Sequence, residues 1–320
     1  MSDDWFAEDV KVVVIIGASG FIGAHLLKAF AERKDIQVHI LTHSNITKKH
    51  DNFCFVEGDL LVPESLDSLL SKDCTVINLA YLQQNNLDAM TNLAIACVKN
   101  QVKRLIHCST AVVAGRTSGV LVTENTVCTP ISEYERTKLE MESILLEAAM
   151  GKFEITILRP TAVFGPGGRN LIKLAGELLT GNPLINYFRS SLYKRRNMNL
   201  VCVENVVAAL IFLLEFDKVD REVFIISDDD SSFNNYRDIE SRMLSAYGNY
   251  YLFPRLLVPD FFLIVMLRIL GRSNSNPSTK YSNLKLTEWG FKKAQNLEIA
   301  LDNFIAWHKD IYITNERDLS

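Results

Sequence analysis

Residues 11–23 read KVVVIIGASGFIG, and this stretch decides the fold. KVVVII is a continuous β-branched run, the pattern of a strand covered on both faces. Gly17, Gly20 and Gly23 follow at once, and HLLKAFAER (25–33) continues at helical spacing. QVHILT (37–42) then supplies a second strand. Each glycine has a physical task in such a unit. Gly17 permits a tight turn, Gly20 lets backbone approach a pyrophosphate, and Gly23 lets the helix pack closely on the sheet. Ser19, Phe21 and Ile22 complete the loop and open the helix, whose N-terminus presents N–H donors to an anion. Strand, loop, helix and second strand in that order are the context a dinucleotide-binding loop requires.

The alternation continues outward. CTVINLA (74–80), RLIHCST (104–110) and EITILRP (154–160) are strand-like; LDAMTNLAIACVKN (87–100) and SEYERTKLEMESILLEAAM (132–150) are helical. The expected fold class is α/β, a doubly wound parallel sheet of Rossmann type with a smaller C-terminal substrate-binding lobe. Beyond residue 165 the loop-forming clusters GPGGRN, TGNP and RSNSNPS separate helical pieces, yet MNLVCV (198–203) and EVFIIS (222–227) return to the earlier pattern. The expected division is therefore 10–165 with 198–227 as the dinucleotide-binding domain, and 166–197 with 228–312 as the lobe.

Charge and cysteine usage exclude other classes. With 34 basic against 38 acidic residues the net charge is −4, so no basic field exists to hold nucleic acid. Six Cys without a CxxC pair read as reduced thiols of a cytoplasmic protein, with no metal site. MSDDWFAEDVK at the start lacks the basic opening and apolar run of a signal peptide. LFPRLLVPDFFLIVMLRIL (252–270) is apolar but interrupted by Arg255, Asp260, Arg268 and two prolines, too broken to span a bilayer. It is expected to be a buried helix or the floor of a substrate pocket rather than a membrane-contacting surface.

Further motifs stand downstream in fixed order: EGDL (57–60), INLA (77–80), Asn86, HCSTAVVAG (107–115), YERTK (134–138) and LRPTAVFGPGG (158–168). Together with the GxxGxxG spacing of the first loop, this series resembles the extended branch of the short-chain dehydrogenase/reductase superfamily, which acts on nucleotide sugars. The resemblance covers nearly the whole chain and implies an NAD(P)-dependent enzyme. It implies that Asp59 bonds the adenine with Leu60 beside it, that Leu79 and Ala80 pass under the cofactor, and that Arg159 and Pro160 touch its nicotinamide end. It also implies a catalytic trio. Tyr134 and Lys138 lie four residues apart and share one helix face. A free phenol titrates near about 10, and a nearby ammonium brings it towards working pH. Lys138 would also hold the nicotinamide ribose. Counting back from Gly115 by the family's spacing gives Thr110 as the hydroxyl that orients the substrate oxygen, with Ser109 its neighbour and runner-up.

Departures from the family pattern narrow the chemistry. Related 4,6-dehydratases follow the catalytic threonine with acids; Ala111 and Val112 stand here, so dehydration is not expected. The Cys and His pair of GDP-fucose synthase-type epimerases has no counterpart, because strand alternation points His107 and Cys108 to opposite faces. NAD-preferring relatives place a carboxylate after the second strand. This chain offers Thr42, His43 and Ser44, then Lys48 and Lys49, so NADP is expected, with NAD the alternative. Family epimerases usually carry Asn three residues after the Arg159 position; Ala162 stands there, and the segment resembles 4-reductases of 4-keto-6-deoxy-hexosamine nucleotides. Arg195 or Arg196 is the candidate for the substrate diphosphate, and Asn205 is expected to order the loop before its helix. The expected function is NADP-dependent reduction of a 4-keto sugar nucleotide in surface-polysaccharide synthesis. The alternatives are a nucleotide-sugar 4-epimerase holding NAD, reduction of a sterol-like ketone, and a non-catalytic cofactor-binding protein. The implied partners are a sugar nucleotide and, as an allowed assembly, a homodimer, with no nucleic acid and no membrane span.

Overall fold

The computed structural model describes residues 11–43, 51–115, 117, 119–216, 219–256, 258–269 and 276–318. The chain begins with β1 (Lys11–Ile16), α1 (Phe21–Phe30), β2 (Ile36–Thr42), β3 (Phe53–Glu57), β4 (Thr75–Asn78) and α2 (Asn86–Lys99). It continues through β5 (Arg104–Cys108), β6 (Leu121–Val122), α3 (Glu133–Ala148), β7 (Glu154–Pro160) and β8 (Ala162–Phe164). Then follow α4 (Ile172–Thr180), α5 (Pro183–Tyr193), β9 (Leu200–Cys202), α6 (Val203–Glu215) and β10 (Glu222–Ile226). The last elements are α7 (Tyr236–Tyr247), α8 (Asp260–Ile269), β11 (Lys280–Tyr281), α9 (Leu284–Glu288) and α10 (Leu297–Asp318).

Seven strands form a parallel sheet in the order β10-β7-β5-β4-β1-β2-β3. The chain leaves β1 in one direction for β2 and β3 and returns on its other side for β4, β5 and β7. The carboxyl ends of β1 and β4 therefore mark the switch point where such sheets take a ligand. The register pairs Val13 with Val38 and Val14 with Val76. Val13, Val14 and Ile15 are fully buried, which is why this strand reads as an unbroken apolar run. Each such side chain contributes about 1.5–3 kcal/mol of burial.

The chain divides into two compact units. The first comprises Met1–Ser109, Arg136–Leu158 and Leu210–Val223. Its core gathers Val14, Ile16, Leu93, Leu105, Met141 and Ile155. Arg104 fastens its three pieces. The buried guanidinium pairs with Glu154 at 2.6 Å and donates to the carbonyls of Phe216 at 2.7 Å and Leu213 at 3.2 Å.

The second unit comprises Thr110–Glu135, Arg159–Ala209 and Phe224–Ser320. Phe164, Leu178, Met243, Leu301 and Phe304 centre its core, where α4, α7 and α10 pack together. Two short parallel ladders, β8 with β9 and β6 with β11, belong to it. The 252–270 segment corrects the sequence expectation. Leu252, Phe253, Phe261 and Ile269 are 79%, 71%, 67% and 80% exposed, and of α8 Leu263 is sunk at 2%. Apolar composition says that a stretch avoids water; it does not say that this chain supplies the cover.

Candidate active site

The glycine loop is shaped as its spacing requires. Gly17 has φ +84°, and a Cβ there would lie 2.8 Å from the Ala80 backbone nitrogen. A Cβ on Gly23 would stand 2.5 Å from the Gly17 carbonyl oxygen, so the third glycine serves helix–loop packing. Gly20 caps α1 in an extended conformation without a side-chain hydrogen bond, and no acid occupies the first turn. The leading N–H groups of α1 are thus left for an anion.

A cleft of about 640 Å³ opens over this loop, entirely within the first unit. Its lining brings together Gly17, Ser19, Gly20, Thr42, His43, Asp59, Leu60, Leu79 and Ala80. Phe21 and Ile22 lie in the first turn of α1 and do not line it. Ser44, Lys48 and Lys49 lie outside the described residues. The loop of Asp59 and Leu60 is pinned from within and from α2. Asp59 accepts from the Leu61 N–H at 2.8 Å, and Asn92 on α2 donates to the Leu60 carbonyl at 2.9 Å. Asn86 holds the loop before α2 by a paired bond to both backbone groups of Leu82, at 2.8 and 2.9 Å. The glycine loop and the cleft above it fit a dinucleotide.

Lys138 sits one turn into α3 from Tyr134 and is buried in the first unit. Its Nζ donates to the Cys108 carbonyl at 3.3 Å and stands 5.0 Å over the Tyr81 ring. Tyr81 lines the cleft, so this aromatic floor joins the predicted lysine to the predicted cofactor site. Sequence reading missed Tyr81; its signal was its place directly after INLA. Burial holds the Lys138 ammonium below the usual lysine range, against the attraction of Cys108 and Glu142. Beside it, burial and the Lys138 charge keep His107 well below its usual value, while burial lifts the Cys108 thiol to about 11. His107 Nδ1 lies 3.1 Å from Asn78 Nδ2, and its Nε2 is buried with no hydrogen-bond partner. Asn78 in turn accepts from the Ala80 N–H at 3.1 Å. Ser109 Oγ is also buried without a partner.

The second unit holds Thr110, Tyr134, Arg159, Pro160, Arg195 and Arg196. Thr110 caps the 3-10 turn Ala111–Ala114, its Oγ1 accepting from the Val112 N–H at 3.5 Å. That weak bond leaves the hydroxyl hydrogen unspent. Tyr134 lies in the first turn of α3 and is 41% exposed. The turn is set by a reciprocal cap. Ser132 Oγ accepts from the Glu135 N–H at 3.2 Å, while Glu135 Oε2 accepts from Ile131 and Ser132 N–H at 2.7 and 3.3 Å. Arg159 and Pro160 are buried at the end of β7. Arg195 is exposed and paired with Asp238 at 2.9 Å; the Arg196 guanidinium stands 5.8 Å over the Tyr193 ring. Asn205 corrects its assignment. It donates to Asp228 and to the Gln295 carbonyl, both at 3.0 Å, so it ties distant segments rather than the loop before α6. Among the described residues no group of three or more His, Cys, Asp or Glu could hold a metal ion, and no helix is long and apolar enough to cross a membrane.

A glycine-turned loop at the switch point of a parallel sheet, with tyrosine and lysine one turn apart on a later helix, defines a nicotinamide-dependent enzyme of the extended short-chain dehydrogenase/reductase type. The chain belongs to the NAD dependent epimerase/dehydratase family, whose model matches residues 13–227. It is 28% identical over 240 residues to a UDP-glucose 4-epimerase of Vibrio cholerae, spanning 68% of this chain and 71% of that one. It is 23% identical over 325 residues to the N-acetyl-alpha-D-glucosaminyl-diphospho-ditrans,octacis-undecaprenol 4-epimerase of Escherichia coli O157:H7, covering 92% and 94%. In fold it is similar to the UDP-glucuronic acid 4-epimerase of Bacillus cereus crystallised with NAD, at TM-score 0.69, 20% identity, and 94% and 99% coverage.

Proposed function

We propose that the protein reduces the 4-keto group of a 6-deoxy sugar nucleotide, with NADP as its cofactor. The observation that carries the reading is which side chains stand after Thr110 and after Arg159. Ala111 and Val112 can move no proton, which removes dehydration, and Ala162 lacks the amide that epimerases of the family commonly offer the diphosphate. Hydride chemistry at a ketone needs neither. When bound, the nicotinamide supplies the hydride. Thr110 donates to the carbonyl oxygen and fixes its position, and Tyr134 gives that oxygen its proton. Lys138 stabilises the phenolate left behind and binds the ribose hydroxyls. Gly17, Ser19 and Gly20 hold the pyrophosphate, and Asp59 with Leu60 the adenine. Thr42 and His43, where NAD enzymes carry a carboxylate, leave a 2′-phosphate unopposed. Arg195 or Arg196 meets the substrate diphosphate, and the enzyme works in the cytoplasm. A homodimer is the assembly that goes with this reading.

A 4-epimerase is the second reading, favoured by the names of the relatives in V. cholerae and E. coli. NADPH absorbance with product mass analysis separates the two. Stoichiometric NADPH loss with gain of two hydrogens by a 4-keto-6-deoxy sugar nucleotide supports reduction. Turnover of a UDP-hexose with no net cofactor change rejects it in favour of epimerisation. Fluorescence titration tests the cofactor: NADPH should bind at least about tenfold tighter than NADH, or about 1.4 kcal/mol.

A further inference from the structure

We propose that Tyr81 is a positioning residue for the dinucleotide. Its ring face holds the Lys138 side chain as an ammonium at the cofactor cleft, and thereby sets how far into alkaline pH the cofactor stays bound. That Lys138 binds the ribose rests on the proposed function, whereas its place on the ring is a matter of geometry. Both residues belong to the first unit, as does the whole cleft. Lys138 Nζ stands 5.0 Å over the Tyr81 ring, inside the roughly 6 Å over which a cation is drawn to the negative face of an aromatic ring. Tyr81 follows Leu79 and Ala80 directly and lines the cleft with them and with the glycine loop. The same side chain therefore meets both the lysine and the space the cofactor would fill.

An ammonium only 4% exposed is held against the loss of water. The groups that face it divide by element. From β5 the Cys108 carbonyl accepts one bond, at a long 3.3 Å. The Cys108 thiol, lifted to about 11 by burial, carries no charge at neutral pH, and burial keeps His107 neutral beside it. On α3 itself Glu142, one turn on, attracts the ammonium, while Tyr134 stands one turn back. Burial outweighs these attractions and draws Lys138 below the usual lysine range. The loop after β4 adds the ring. A π face favours the charged form, and does so more strongly as water is removed, so it opposes burial. Taking the ring away should move the lysine further down. Tyr81 itself is 43% exposed, so replacing it opens no cavity in the core.

The test reads Lys138 directly. The full chain, carrying isotope-labelled lysine, is titrated by NMR without cofactor; the Lys138 signal is the one that Lys138→Met removes. Tyr81→Leu keeps an apolar side chain without a π face, and should lower the titration midpoint by about one pH unit, roughly tenfold in the protonation equilibrium. Tyr81→Phe keeps the face and should stay within about 0.3 pH unit of the parent. Fluorescence titration with NADPH or NADH, whichever binds the parent more tightly, is the second readout. Affinity should fall away about one pH unit earlier on the alkaline side in Tyr81→Leu, and at the parent pH in Tyr81→Phe. An unmoved midpoint in Tyr81→Leu, or an equal drop in both variants, would overturn the proposal. So would a lowered midpoint with the pH dependence of binding unchanged. Parent-like cofactor binding by Lys138→Met would overturn both the proposal and the lysine's place at the ribose. Failure of the reductase assay with these NMR and binding results intact would overturn the reductase reading alone.

Discussion

Lys138 carries two opposed demands. In the proposed mechanism its charge supports the phenolate of Tyr134, while burial disfavours that charge. Tyr134→Phe should leave fold and cofactor affinity intact and lower turnover by about 10² or more, the scale of a lost general acid. Steady-state kinetics beside cofactor titration checks it, and near-normal activity would remove the tyrosine from the trio. His107 sets a different measurable quantity. Unfolded, it takes up a proton near the ordinary histidine value of about 6.5; folded, it stays neutral well below that. As pH falls through 6.5 the unfolded chain binds the additional proton, so stability falls, by up to about 1.4 kcal/mol per pH unit. His107→Phe should therefore show a flatter decline in urea midpoint between neutral and mildly acidic pH than the parent. Parallel declines would refute this. Thr110 and Ser109 show where legibility ended at this scale. Spacing could order the two hydroxyls along the chain, but not reveal that one caps a turn while the other is buried without a partner.

At the level of elements, the first turn of α3 is the most exacting. The Ser132–Glu135 cap fixes where the helix begins, and Tyr134 is its second residue. Ser132→Ala should cost about 1 kcal/mol of stability and lower kcat more than it raises KM, because it loosens the proton donor. Thermal melts and kinetics on the same preparation decide it; a stability loss with kinetics unchanged would make the cap purely structural. β1, its glycine loop and α1 could be read from sequence because the cause is local, each glycine answering to a neighbour within the loop or on the adjacent strand end. The segment 252–270 could not, since hydropathy has no sign for which side of a helix meets its own protein. Asn205 was misassigned for a related reason. Its partners lie 23 and 90 residues downstream, beyond any spacing rule.

For the molecule as a whole, the doubly wound parallel sheet was legible in the alternation of strands and helices, while the strand order was not. Alternation predicts neighbours, and only side chains such as Arg104 show which distant pieces are joined. Arg104→Ala removes a buried guanidinium from Glu154 and from two backbone carbonyls. It should destabilise the protein by about 3 kcal/mol or more, measured by urea unfolding. A loss below about 1 kcal/mol, the range of an exposed pair, would mean that the three pieces hold without it. The arrangement also bears on how the protein is made. The first unit opens the chain, yet its last piece ends at Val223. A ribosome that has finished Ser109 must add the stretch through Ile226 before the sheet can receive its outermost strand. At about 5–20 residues per second this takes on the order of 6–23 s. For that interval the nascent sheet offers an unpaired edge, and a chaperone that masks strand edges should raise the yield of folded protein during synthesis more than during refolding of the complete chain.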